Sequence, residues 1–101
     1  MLIYNTTYVL SEEDLACFLV WVRENMMPAV HADGALSNGR LARILSHSRE
    51  EGYRFCLQFN VADSATLHKW ILRQGRQMEA EQSKIFGDRI MAFATLMEVV
   101  E

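Results

Sequence analysis

Three histidines, His31, His47 and His68, are the side chains of this 101-residue chain whose ordinary pKa suits proton transfer near neutral pH. None stands at i, i+2 or i+4 from another His, Cys or carboxylate in a recognised ligand pattern, so no bound metal is expected. His68 lies beside Lys69 and reads as a surface residue. His31 falls near the end of a helical region, where a cation would suit the carbonyl end. His47 is the residue of interest: it closes an expected strand beside a charged turn, and alternation puts it on the face of Arg43. It is either a strand-end histidine with one hydrogen bond or a general base. Four further polar residues, Asn5, Thr7, Gln58 and Thr95, fall inside expected strands. Asn is a poor strand former, so Asn5 needs a reason. If buried, its amide must find partners, and Gln58 on a neighbouring strand could supply one. Such a pair would fix the register of a dimer or line a small-molecule pocket. Asn5, Thr7, Arg43, His47, Gln58 and Thr95 are therefore the candidate pocket or interface residues.

Cys17 and Cys56 are the only cysteines and form no C-x-x-C, so both are expected reduced, each as a small buried hydrophobe. The chain has no G-x-x-x-x-G-K-[ST], G-x-G-x-x-G, G-x-S-x-G or H-E-x-x-H, and no cofactor is expected.

The elements that must position these groups are clear in outline. Residues 2–9, L-I-Y-N-T-T-Y-V, are β-branched and aromatic and read as a strand. Ser11 opens S-E-E-D, a capping pattern at a helix start. Leu15, Phe18, Leu19, Val22 and Met26 then make one apolar helical stripe. Trp21 reads as off that stripe, either packing at the helix edge or touching a partner subunit. Pro28 disfavours helical geometry at Met27, so the helix is expected to end or kink there, with a further turn before Gly34. Residues 40–47 and 53–61 read as a hairpin around S-R-E-E-G. Tyr53, Phe55, Leu57, Phe59 and Val61 face one way and Arg54, Cys56, Gln58 and Asn60 the other. Asp63 or Ser64 caps a second helix carrying Leu67, Trp70, Ile71, Met78 and Ile85 on one side and a solvated stripe of Lys69, Arg73 and Arg76 opposite. Gly87 suits the residue just past its end. Residues 89–97 make a fourth strand.

The order is β-α-β-β-α-β over a single domain, residues 1–101. Right-handed crossovers leave the α+β ferredoxin-like arrangement as the commonest solution. It places two helices on one face of a four-stranded antiparallel sheet, with the strands in the order 4-1-3-2. A chain of about a hundred residues holds one core and can fold without disulfides or metals. No apolar run reaches the roughly 18 residues of a membrane span, and the N-terminal residues do not read as a secretory signal. The formal net charge of −3 disfavours broad nucleic-acid binding. A local excess of arginines at 40, 43, 49 and 54 reads as solvated charge rather than an anion site.

Two helices can cover one sheet face, yet strands 1 and 4 carry apolar groups on both. Ile3 and Val9 lie opposite Leu2, Tyr4 and Tyr8; Met91, Phe93 and Met97 lie opposite Ile90 and Leu96. An uncovered mixed face of that kind marks an interface or ligand groove, and a homodimer joined sheet to sheet would hide both copies at once.

The Y-N-T-T of strand 1, R-L-A-R-I-L-S-H, L-Q-F-N-V and F-G-D-R-I-M-A-F-A-T-L-M together resemble a small bacterial family of uncharacterised proteins, classed as a domain of unknown function. The resemblance spans nearly the whole chain. It implies a ferredoxin-like, dimeric α/β-barrel architecture in the cytoplasm, with no established activity, cofactor or catalytic residue to carry over. More distantly, the architecture is similar to that of antibiotic-biosynthesis-type monooxygenases, a likeness of fold alone.

Three functions compete. One is a non-catalytic dimeric domain binding a small apolar ligand or a protein partner. Another is a cofactor-free oxygenase or isomerase acting on a small aromatic or enolisable substrate, with His47 or Asn5 and an arginine polarising its carbonyl. RNA binding, the third, needs a glycine-containing basic motif in strand 3 that Y-R-F-C-L-Q-F-N-V lacks.

Overall fold

A computed structural model describes residues 1–46 and 52–101. Its strands are β1 (Leu2–Leu10), β2 (Leu36–Arg43), β3 (Tyr53–Val61) and β4 (Met91–Glu98). All pairs are antiparallel, in the order β2-β3-β1-β4. Between β1 and β2 runs one continuous helix: α1 (Glu12–Trp21), a wide π turn at Val22–Met26, and α2 (Met27–Asp33). Between β3 and β4 runs its counterpart: α3 (Ser64–Trp70), a π turn at Ile71–Gly75, and α4 (Arg76–Phe86). This is the α+β ferredoxin-like fold.

Pairing of β1 with β3 sets Tyr4 opposite Phe59, Thr6 opposite Leu57 and Tyr8 opposite Phe55 on the helix side of the sheet. Phe18 of α1 is fully buried there, with ring centroids 4.9 Å from Tyr8, 5.6 Å from Phe55 and 6.4 Å from Phe86. Burying such a ring contributes roughly 1.5–3 kcal/mol. Asp63 caps α3 by accepting the Thr66 N–H at 2.8 Å, and Gly87 ends α4 at φ 62°.

The first helix does not end at Pro28. Met27 N–H bonds back five residues to Val22 O, so the hydrogen-bond ladder has already changed register when it meets the residue that lacks an N–H. The chain then continues helical to Asp33 and stops at Gly34, φ 87°. A π turn inserts one extra residue, which advances every later position by about 100° around a 3.6-residue helix. In the second helix the expected core residue Ile85 is accordingly exposed, and its neighbour Phe86 is buried instead. In the first helix Val30 takes an inward place.

Several other expectations are corrected. Trp21 is a core residue, 3% exposed, because the buried stripe centres on Phe18, Trp21, Val22 and Met26 while Leu15 and Leu19 flank it. Cys17 is exposed rather than buried, lying on the outer side of the same helix. Arg73 is not simply solvated: its Nη2 donates to both oxygens of Asp33 at 2.7 Å. Strand β2 begins at Leu36, ahead of the expected residue 40. Asn38 (φ 51°) and Gly39 form an irregularity between Ser37 and Arg40, which lets one strand cross a sequence that reads as a turn. Glycine is required there by space, since a Cβ at residue 39 would lie 2.6 Å from Phe59 Cε1 and 2.9 Å from His31 Nε2. His31 Nε2 accepts the Gly39 N–H at 3.0 Å. The ring thereby ties the end of the first helix to the start of β2.

Candidate functional site

Two surfaces compete as a site, one on each side of the sheet. On the open side, register aligns Arg40, Gln58, Asn5 and Thr95 in a single row across all four strands. Arg40 Nη2 donates to Gln58 Oε1 at 3.3 Å, and Gln58 Nε2 donates to Asn5 Oδ1 at 3.2 Å. Asn5 Nδ2 donates to Thr7 Oγ1 at 3.1 Å, and Thr7 Oγ1 lies 3.7 Å from Cys56 Sγ. Asn5 is buried at 6% exposure in the middle of this network, with both ends of its amide bonded. Beside the row, β4 presents Met91, Phe93 and Met97, which are 55%, 51% and 36% exposed. The face is thus a bonded polar centre with an exposed apolar margin.

Asn5, Thr7, Gln58 and Thr95 therefore share one face, and Arg43 does not share it. Arg43 stands opposite Phe55, whose side chain belongs to the core side, and its guanidinium lies 4.9 Å from the Tyr53 ring centroid. Arg40, three residues earlier, is the arginine that joins the row. Residues 40–43 alternate regularly, so Arg40 and Arg43 point to opposite faces, and only the register with β3, which spacing within one strand does not give, puts Arg40 on the open one. His47 and the charged turn lie outside the described residues.

On the other side, the helices and β4 do not close completely. Every residue of β4 is exposed, including Ala92 and Ala94, which point toward the helices. Beneath them lies a cleft of about 230 Å³. Its floor is Tyr4, Thr6 and Tyr8 of β1; Trp21 and Met26 bound it from the first helix and Trp70, Ile71 and Gly75 from the second. Met78, Glu79 and Gln82 of α4 line the rim. These α4 positions and Gly75 recur at i, i+3/i+4 and i+7, a helical spacing visible in the sequence, in which Met78 alone reads as facing the sheet.

Polar ties between the helices hold the walls in place. Trp21 Nε1 donates to Glu81 Oε1 at 2.9 Å, and Trp70 Nε1 donates to Gln74 Oε1 at 2.6 Å. Gln74 in turn donates to the Ala29 carbonyl at 3.0 Å. Gly75 leaves room for the Trp70 ring, since a Cβ there would stand 3.2 Å from Trp70 Cζ3. Burial pushes the Tyr8 hydroxyl well above the usual phenol range. Burial raises Tyr4 as well, with the charge of Glu79 adding to it. Both hydroxyls are protonated at neutral pH and can donate hydrogen bonds; neither is a base there. Among the described residues no group of three or more His, Cys, Asp or Glu side chains gathers to hold a metal ion. Nor does any helix among them have the length and apolar character to cross a membrane.

An antiparallel four-stranded sheet with two helices on one face is shared by solved structures of low sequence identity. A protein from Deinococcus radiodurans provisionally described as an antibiotic biosynthesis monooxygenase superposes with a TM-score of 0.75 at 16% identity, over 100% of this chain and 94% of that one. An ethyl tert-butyl ether D (EthD) family protein from Bacillus halodurans gives 0.71 at 14%, over 99% and 100%. A dimeric ferredoxin-like protein from an uncultured marine organism gives 0.69 at 15%, over 100% and 96%. Identities this low establish the fold alone. The chain belongs to the DUF4286 family, a domain of unknown function, which it matches over residues 1–100. No curated protein matches it.

Proposed function

We propose that this protein is a homodimer, joined through the open sheet face, whose subunits each bind a small and largely apolar molecule in the cleft without transforming it. The observation that carries this reading is the cleft itself. It has aromatic and thioether walls from Tyr4, Tyr8, Trp21, Trp70, Met26 and Met78, with a few polar groups at its rim. That is the composition expected of a ligand site, and its volume is below the roughly 300–1,000 Å³ of sites for drug-sized molecules, so the occupant is small. The exposed Met91, Phe93 and Met97 support association through the open face, as does the dimeric description of a structural neighbour. On this reading Asn5, Thr7, Gln58 and Thr95 belong to the interface and set its register.

Native mass spectrometry of the purified protein tests both halves, since it reports subunit count and any retained molecule. A dimer carrying a small ligand is expected. Phe93→Asp should yield monomers in light scattering; a wild-type protein already monomeric at micromolar concentration would refute the association. A second reading, a cofactor-free oxygenase or isomerase, draws on the two protonated tyrosine hydroxyls, which could donate to a substrate carbonyl. It would be favoured if the retained molecule were oxidised or isomerised by the protein in air.

A further inference from the structure

The lining of the cleft is electrostatically one-sided. Glu79 is its one charged residue, and among the described residues no hydrogen bond or ion pair engages that carboxylate. Four aromatic rings, those of Tyr4, Tyr8, Trp21 and Trp70, surround the space, and ring faces carry negative potential. Both indole N–H groups, which would otherwise serve an anionic ligand, are committed to Glu81 and Gln74. Among the described residues the hydroxyl of Tyr8, 2% exposed, donates to the thioether sulfur of Met26 at 3.8 Å and accepts from no donor, which leaves its oxygen lone pairs able to accept. A ligand carboxylate would find repulsion from Glu79 and no cation to offset it. A ligand ammonium would find a carboxylate, a phenol oxygen and aromatic rings.

We infer that the cleft takes a small aryl- or alkyl-ammonium cation, its charged head beside Glu79 and its apolar body among Tyr4, Tyr8, Trp21 and Trp70. This rests on reading the cleft as a ligand site. Cation–π attraction in a partly dry pocket adds to the carboxylate contact, and both weaken as salt screens the exposed Glu79.

The test uses the full chain and three probes of matched shape: 2-phenylethylammonium, 2-phenylethanol and 3-phenylpropionate, titrated calorimetrically at neutral pH. The ammonium should bind about tenfold more tightly than the alcohol, with the carboxylate weakest. Glu79→Gln, at an exposed position, should leave thermal unfolding unchanged and bring ammonium and alcohol to similar affinity. Ala94→Phe, which fills the cleft from the exposed strand β4, should weaken all binding. If the alcohol matches the ammonium, or the carboxylate binds best, and Glu79→Gln alters nothing, the ligand class is wrong although the cleft binds. Failure of all three probes, or binding untouched by Ala94→Phe, would overturn the inference and the cleft reading together.

Discussion

Replacing Asn5 and Gln58 singly and together by Ala measures whether the row on the open face is a true bonded network. Asn5→Ala removes the acceptor of Gln58 Nε2 at 3.2 Å and the donor to Thr7 Oγ1 at 3.1 Å. Each bond contributes roughly 0.5–1.5 kcal/mol net, so the loss should be about 1–3 kcal/mol. Gln58→Ala removes the same bond to Asn5 together with the longer one from Arg40 at 3.3 Å. The bond shared by the two residues is lost once in the double variant, so the single losses should exceed the double loss by about 0.5–1.5 kcal/mol. Urea denaturation at 25 °C, followed by far-UV circular dichroism at two protein concentrations, reads these values and separates folding from association. Additivity within about 0.3 kcal/mol would refute the reasoning, since that is how independent sites behave.

Further outcomes follow from other particulars. Gly39→Ala should destabilise by about 1–3 kcal/mol in urea, as Phe59, His31 and Met27 all have to yield to the added methyl. Hydrogen bonding to Arg73 holds Asp33 below the usual carboxylate range, and the Thr66 N–H does the same for Asp63. Their stabilisation is therefore complete above the ordinary aspartate pKa near 3.8 and fades as pH falls through the lowered folded values. Asp33→Asn should flatten that acid limb of the unfolding profile, and an unchanged limb would contradict the assignment. With a thiol reagent on native protein, Cys17 should react quickly and Cys56, half-buried beside Thr7, slowly; equal rates would show the open face to be looser than described.

The regular parts of the fold were legible because local chemistry and burial agree there. β3 alternates without interruption, Asp63 announces a helix, and Gly87 closes it, so sequence spacing and structure coincide. Departures from regular geometry were not legible. Nothing in V-R-E-N-M or I-L-R-Q-G spells a wide turn, so the inward residue shifts from Ile85 to Phe86 and Pro28 is accommodated where an end or a kink was expected. S-N-G has the composition of a turn, yet packing of Leu36 and Phe59 holds it in a strand. Of the candidate site, Asn5 was legible from its misfit with strand propensity, and Gln58 from its place on the neighbouring strand. The cleft depends on how far two helices stop short of one edge strand, a tertiary distance that no spacing encodes.

Each long helix widens just after a tryptophan, Trp21 in one and Trp70 in the other, and both tryptophans border the same hollow. Excising a single amino acid from 71–75 would restore an uninterrupted spiral and still leave Phe86 turned inward, because the phase it now occupies is the one the shortened chain would give it. In both helices the wide turn stands directly beside an indole that borders the cleft, and such irregular turns are frequent where proteins meet their ligands.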